Sequence, residues 1–415
     1  MQEMRVQGTQ VRFPRMTLLT VLQWKRAPEF SKNLETTTSG ILMSKNFAMA
    51  LQAAMNDYQS NDWRDNWDYR RFGADQSEGE SVRASISARA RVKSKIKTLL
   101  ELLGLYHRKT LASILANEPG LQWLYERLRD EESRRILIDV MAYRVLGYRK
   151  VKLSLNTPEY WKKLAELERK VDAGDSIDLG FMGWKVERYD LSDEGYPIQV
   201  YARAPGVYTQ LLLQQYRCNT QDHVIEVIEG DTVIDAGGCY GDTALYFAHK
   251  AGENGRVFSF EFMPDNIKVF ERNLGLNPDL AKRIEIVPNP LWSSSGQELY
   301  VEGAGPAAHI TPNPKAPDAQ KVKALKIDDL VTSKQLARVD FIKMDIEGAE
   351  LEALKGAEKI IRCYQPGLAI SVYHRLPDFW EIAQWIDGLG LGYRFYLRHF
   401  TIHAEETVLF AEVPR

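Results

Sequence analysis

Cysteine is scarce. The chain has 415 residues and three cysteines, Cys218, Cys239 and Cys363. Three cannot build a disulfide framework or an all-cysteine zinc site, and they fit a reducing compartment, so a cytoplasmic protein is expected. An excess of one charge is also missing. The chain carries 54 Lys+Arg against 56 Asp+Glu, a formal net charge of -2. Nucleic-acid coats and polybasic membrane binders work by charge excess, so neither class is expected. No apolar run approaches the ~20 residues that span a bilayer. The short apolar run 16–22, beside Arg15 and Lys25, reads as a strand or short helix rather than a signal peptide. What is present is core material. At 44% hydrophobic residues, the chain can bury a sizeable interior, and its length predicts two or three domains.

Residues 1–80 show little periodicity. The stretch 56–80 mixes Asp, Asn, Ser, Gly and Arg and predicts a loop, with Trp63, Trp67 and Tyr69 inside it. From 81 the pattern turns helical, with Val92, Ile96, Leu99 and Leu103 at helix spacing. The basic residues beside them (Arg83, Arg89, Arg91, Lys93, Lys95, Lys97) read as the solvated face of a packed helix. Asp130 is placed to cap a helix whose apolar face holds Ile136, Leu137, Val140, Met141 and Val145 and which stops at Gly147. Pro158 opens another helix. Residues 81–175 therefore read as a helical accessory region. Alternation at Ile177, Leu179, Trp184, Val186 and Tyr189, then Ile198, Val200 and Tyr201, reads as a β-hairpin or small sheet, and makes 176–222 a β-hairpin and connecting region.

Residues 223–415 alternate strand and helix. Strands are expected at 232–236, 256–261, 284–287, 339–344, 368–373, 393–397 and 408–412, with helices at 242–250, 266–274, 350–362 and 379–389. That rhythm predicts an α/β, Rossmann-like, mostly parallel seven-stranded sheet covered on both faces. The stretch 303–320 is expected to be an excursion loop.

Ligands of such sheets bind beyond the carboxyl ends of the strands. The first strand ends in Asp235-Ala236-Gly237-Gly238-Cys239-Tyr240-Gly241-Asp242-Thr243. Gly237 and Gly241 permit a tight turn and close backbone approach. The second strand ends in Glu261-Phe262, where an acid can accept both hydroxyls of a ribose. The glycine spacing does not match the dinucleotide pattern G-x-G-x-x-G. It suits S-adenosylmethionine better, whose ammonium and sulfonium are compatible with the acidic rim of Asp235 and Asp242. Asn289 and Leu291, after the third strand, are placed to meet an adenine edge and face. Trp63, Trp67, Trp292 and Tyr240 are stacking candidates for an acceptor, with buried packing as the default for each.

The fourth strand runs into Asp345-Ile346-Glu347-Gly348-Ala349-Glu350. If it stays extended, Asp345 and Glu347 project to the same side. They can orient a hydroxyl, accept its proton or hold a divalent cation. The fifth strand ends in Tyr373-His374-Arg375, which makes His374 the candidate general base. His399 and His403 read as structural. Whether Asp345, Glu347 and His374 bind a metal such as Mg or act without one stays open. An amine-directed base methyltransferase would carry Asn/Asp-Pro-Pro-aromatic after the fourth strand, and its absence favours an oxygen acceptor.

These residues together resemble the FkbM family of S-adenosylmethionine-dependent methyltransferases. The resemblance runs from about residue 189 to the end. Its strongest part is Ile342-Lys343-Met344-Asp345-Ile346-Glu347-Gly348-Ala349-Glu350, supported by Leu325-Lys326-Ile327-Asp328-Asp329-Leu330, Val233-Ile234-Asp235-Ala236-Gly237-Gly238, Tyr373-His374 and Leu397-Arg398-His399. Cys239 departs from it, since many members carry a polar residue such as Asn there. The resemblance implies a class I methyltransferase-like sheet and O-methylation of a carbohydrate or a secondary metabolite. The expectation is a methyltransferase with Asp235, Gly237, Gly241, Asp242, Thr243, Glu261, Phe262, Asn289, Leu291 and Asp345 at the cofactor, and Asp345, Glu347 and His374 at the acceptor. The acceptor is a glycan or small molecule, no nucleic acid is involved, and a homo-oligomer is compatible. A polyketide or peptide hydroxyl is the alternative acceptor, and a non-catalytic scaffold is the alternative class.

Overall fold

Short runs rich in Val, Ile and Phe form the central sheet of the computed structural model, as β-branched and aromatic residues favour a pleated, buried surface. We number its strands β1 (Thr232–Ala236), β2 (Arg256–Phe260), β3 (Ile284–Val287), β4 (Phe341–Met344), β5 (Gly367–Ser371), β6 (Arg394–His399) and β7 (Thr407–Glu412). Their order is β3-β2-β1-β4-β5-β7-β6. The first five are parallel, and β7 runs antiparallel to both β5 and β6. The seven strands, the parallel majority and this order make the class I methyltransferase-like arrangement expected above. The chain steps outward through β2 and β3, then returns to lay β4 against β1. That reversal opens a crevice at the carboxyl ends of β1 and β4.

Strand parity divides the core. Val233 and Phe341 face one side of the sheet, Ile234 and Ile342 the other, and all four are buried. Helices Asp242–Lys250 and Pro158–Arg169 cover the first side, and helices Glu131–Leu146 and Asp378–Gly388 the second. Asp130 caps Glu131–Leu146 as expected, accepting the Ser133 amide at 2.7 Å, and Gly147 ends the helix at φ 80°. Thr157 caps Pro158–Arg169.

The structure describes residues 34–36, 42–44, 46–69, 105–171, 174–180, 183–314 and 319–414. The apolar run 16–22 and the helical pattern at 92–103 lie outside them. The chain divides into two units, 1–46 and 47–415. The first contains an antiparallel ribbon of Leu34–Thr36 with Leu42–Ser44. The second contains everything else, so the boundaries expected at 175 and 222 fall inside it. No helix among the described residues is long and apolar enough to cross a membrane.

Several elements differ from expectation. Helix Phe47–Tyr58 occupies the start of the supposed loop. Residues 176–202 form three antiparallel strands, the small sheet among the forms expected there. The expected helix 350–362 is two, Glu350–Lys355 and Glu358–Tyr364. It breaks at Gly356, where a Cβ would collide with the Trp292 carbonyl. The supposed excursion loop belongs to a three-stranded sheet, Glu298–Glu302 between His309–Thr311 and Lys321–Lys323.

Candidate active site

The loop after β1 is built from beneath. Asp235 and Lys343 are register partners on β1 and β4, so their side chains share a face. Both are almost wholly buried, and their charged atoms are 3.0 Å apart. The Lys343 ammonium also donates to the carbonyls of Ala236 (3.1 Å) and Gly237 (2.6 Å). Asp235 accepts the hydroxyls of Ser259 (2.7 Å) and Thr243 (3.0 Å). Asp242 is buried as well, accepting the Thr243 amide at 3.0 Å and a Gln210 amide hydrogen. Burial pushes its carboxyl up to about 6. Asp235, Asp242 and Thr243 therefore lie under the loop, where sequence reading put them on the cofactor, and Gly241 packs against the Phe270 ring. Gly237 (φ +87°) is different, since a Cβ there would meet the Asp345 carbonyl where the two loops touch. Cys239 sits at φ +44°, the left-handed region in which Asn is enriched, so the polar residue common at this place in the resembled family has a backbone reason.

Above the loop is a cleft lined by Gly237, Glu261, Phe262, Asn289, Leu291 and Asp345, with Glu347 at its acidic end. Glu261 is nearly buried. Its oxygens accept the Met263 amide (2.7 Å) and the Asn266 side chain (3.1 Å), while burial raises its carboxyl. The three-stranded sheet supplies Ile310, and the turn before it Pro306, to the opposite wall. Among the described residues, no Lys or Arg lines this cleft. Trp292 packs against the apolar core of the small sheet, and Tyr240 is buried beside Val186 and Val269. Trp67 packs on Tyr148 and His403, and Trp63 is partly exposed under Lys152. None of these four aromatics lines the cleft.

At the acidic end the chain does not stay extended. Glu347 has φ +56° and Gly348 φ +96°, so a left-handed turn, not strand alternation, brings Glu347 round. Tyr216 and Tyr373 each donate a hydroxyl to Asp345 at 3.2 Å. His374 Nε2 stands 3.4 Å from Asp345 and 3.6 Å from Glu347, and Nδ1 stands 3.0 Å from Glu350. Burial alone would lower the imidazole, but Glu350, Asp345 and Glu347 together raise it to about 10. A ring held cationic at neutral pH has no lone pair to accept a proton, so the general-base role expected of His374 does not suit this environment. Burial raises Glu347 to about 7, and its side chain is 36% exposed. His399 and His403 are structural: His399 pairs with Thr407, and His403 accepts the Asp68 amide and meets the Tyr143 hydroxyl.

Sequence reading missed four participants. Lys343 and Glu350 stood inside a quoted motif without a role. Tyr216 and Glu406, whose charge bears on Asp345, come from segments with no motif and arrive through folding alone.

Comparison with known proteins finds methyltransferases. Residues 235–395 match the methyltransferase FkbM domain. The match takes in less than half of the 415 residues, the part that carries the cleft. Hexuronic acid methyltransferase AglP of Haloferax volcanii is 34% identical over 131 residues, covering 32% of this chain and 52% of that protein. Methyltransferase sdnD of Sordaria araneosa is 27% identical over 158 residues, covering 31% of this chain and 60% of that protein. The chain thus matches between half and three fifths of the length of these two relatives. Among solved structures, a methyltransferase FkbM from Methylobacillus flagellatus aligns with a TM-score of 0.45 and 22% identity, over 72% of this chain and 60% of that one. The matched segment begins at Asp235 and ends within β6, so it contains the cleft walls and Asp345, Glu347, Glu350 and His374, but not Tyr216 or Glu406.

Proposed function

We propose that the protein is an S-adenosylmethionine-dependent O-methyltransferase acting on a sugar hydroxyl. The observation that carries this reading is the charge of the cleft. It lies at the switch point of the sheet, offers Glu261, Asp345 and Glu347, and has no Lys or Arg among its described lining residues. A dinucleotide would bring phosphates to such a place, whereas S-adenosylmethionine brings positive charge and none. When bound, that cofactor supplies a methyl group activated by a positive sulfur.

Glu261 would hold the ribose hydroxyls, with Asn289, Leu291 and Phe262 around the adenine. Gly237 would allow close backbone approach. Asp235, Asp242 and Thr243 would act indirectly, by keeping the loop rigid. Asp345, oriented by Tyr216 and Tyr373, would accept a hydrogen bond from the acceptor hydroxyl. Glu347, at the open edge, would take the proton. His374 would balance the carboxylates and fix their positions. Alignment and proton removal are the main demands of such a transfer.

The sugar acceptor is supported by the relative named a hexuronic acid methyltransferase. The experiment is transfer of an isotopically labelled methyl group to hexuronic-acid and neutral glycans, read by mass spectrometry. Label on a sugar oxygen is expected. Cofactor binding with no label on any sugar would overturn the acceptor class. For the cofactor itself, Glu261→Ala should weaken binding at least about tenfold, near 1.4 kcal/mol, in calorimetry. Unchanged affinity would remove Glu261 from the ribose.

A further inference from the structure

Two loops border the acidic end of the cleft, the turn after β4 (345–349) and the loop after β5 (372–377). Both follow the carboxyl ends of parallel strands, where such sheets take their substrates. The second loop carries Tyr373, His374 and Arg375. Tyr373 bonds Asp345, and His374 is buried among carboxylates. Arg375 differs from both, since 51% of its side chain is exposed. Its stem crosses the first loop at Gly348, where an added Cβ would stand 3.7 Å from Arg375 Cδ. Gly348 separates Glu347 from Ala349, and both of these line the cleft. The guanidinium itself is pinned. Asp378, fully buried, accepts Nε at 3.0 Å and Nη2 at 2.5 Å, and also the Arg375 backbone amide at 3.0 Å. That pairing takes up one edge of the planar group. Nη1 makes no hydrogen bond among the described residues, so the Nη1–Nη2 edge keeps donors for a second anion.

We propose that Arg375 binds a carboxylate of the acceptor, so that the sugar methylated here is a hexuronic acid. The proposal rests on the sugar reading above and adds to it the group that selects the sugar. An anionic sugar brought to Asp345, Glu347 and Glu350 is repelled unless a cation meets it. Lys343 and His374 are buried and already paired with carboxylates. Arg375 is the exposed cation of the two bordering loops, and its planar fork matches a carboxylate. Its anchor on Asp378 lowers the entropy lost when a second anion docks. The Arg375 stem and Glu347 flank the same glycine, so a carboxylate on the guanidinium directs the hydroxyls of the same ring toward the carboxylates that handle the proton. A neutral hexose makes no comparable use of the guanidinium.

The test is equilibrium binding to the full chain in the presence of S-adenosylhomocysteine, the demethylated cofactor, so that no turnover intervenes, followed by saturation-transfer nuclear magnetic resonance. The probes are the methyl glycosides of glucuronic and galacturonic acid, each beside its neutral hexose counterpart. Wild type should bind at least one uronoside about tenfold more tightly than its counterpart, and the preference should shrink as salt rises. Arg375→Gln should erase the preference, with circular dichroism checking the fold. The double variant Arg375→Gln with Asp378→Asn leaves no buried charge unpaired, and it carries the same expectation should the single variant fail to fold. A wild type without preference for either uronoside overturns the proposal, as does a folded variant that keeps the preference. Transfer of a labelled methyl group separates the two claims. Uronoside binding through Arg375 with no transfer supports the carboxylate site while sinking the reaction. Transfer to acidic and neutral sugars with equal KM sinks the carboxylate site and leaves the reaction standing.

Discussion

Lys343 is 1% exposed, and its ammonium bonds one carboxylate and two carbonyls under the β1 loop. Removing it would leave Asp235 charged, buried and without its ion-pair partner. Lys343→Met should cost about 3–5 kcal/mol, the range for breaking one side of a buried ion pair, measured by urea unfolding. A loss within the noise would mean that Asp235 is satisfied by its hydroxyl partners. His399 gives a pH dependence. Burial lowers its imidazole from 6.5 to about 4. Between those values the unfolded chain binds the proton and the folded chain does not, so acid draws the equilibrium toward unfolding. The contribution is absent above pH 6.5, grows as pH falls and is complete below about 4, where it reaches about 3 kcal/mol. Other buried groups titrate in the same window, so the readout is a difference. Stability of wild type relative to His399→Gln should fall by that amount between pH 7 and 4. A constant difference would show that His399 protonates as readily folded as unfolded.

Among the elements, helix Glu131–Leu146 ties the accessory region to the sheet. Asp130 both caps it and pairs with the Arg398 guanidinium of β6 at 2.8 Å, and Ser133 exchanges hydrogen bonds with Leu397. Asp130→Ala should therefore cost more than an isolated cap, about 2 kcal/mol or more, by thermal melting. Asp130→Asn, which keeps the cap, should recover part of it. The helix was legible because its cap, apolar spacing and terminal glycine agree. The break at Gly356 was not, because it answers to the Trp292 backbone 64 positions earlier in the chain. The small sheet at 298–323 was equally hidden. Its strands are short and rich in Gly and Pro connections, and only pairing makes them strands.

At the scale of the molecule, residues 47–415 form one compact unit. β6 is an edge strand, and Leu128 and Arg129 pair with Phe395 there, the Arg129 amide donating to its carbonyl at 3.0 Å. A fragment 223–415 would expose that edge and the apolar face now under helix Glu131–Leu146. Uncovered edges of this kind template aggregation. The fragment, though it contains the whole matched family segment, should scatter light and lack near-ultraviolet dichroism, whereas a chain from 47 should retain it. A monomeric, cooperatively unfolding fragment 223–415 would show instead that the accessory helices are optional.

By itself the sequence determined the strand–helix alternation, the glycine turn, the acidic strand end and the family they imply, because each depends on neighbours a few positions away. Only the tertiary structure decided what those residues do. It moved Asp235, Asp242 and Thr243 beneath the loop, because a strand's parity sets which face a side chain takes but not what lies above that face. It enclosed His374 among carboxylates from the turn after β4, reversing the charge state expected of a free imidazole. It brought Tyr216 and Glu406 to Asp345 from 129 and 61 positions away. Burial and charge proximity are properties of assembled space, and they set the chemistry of this site.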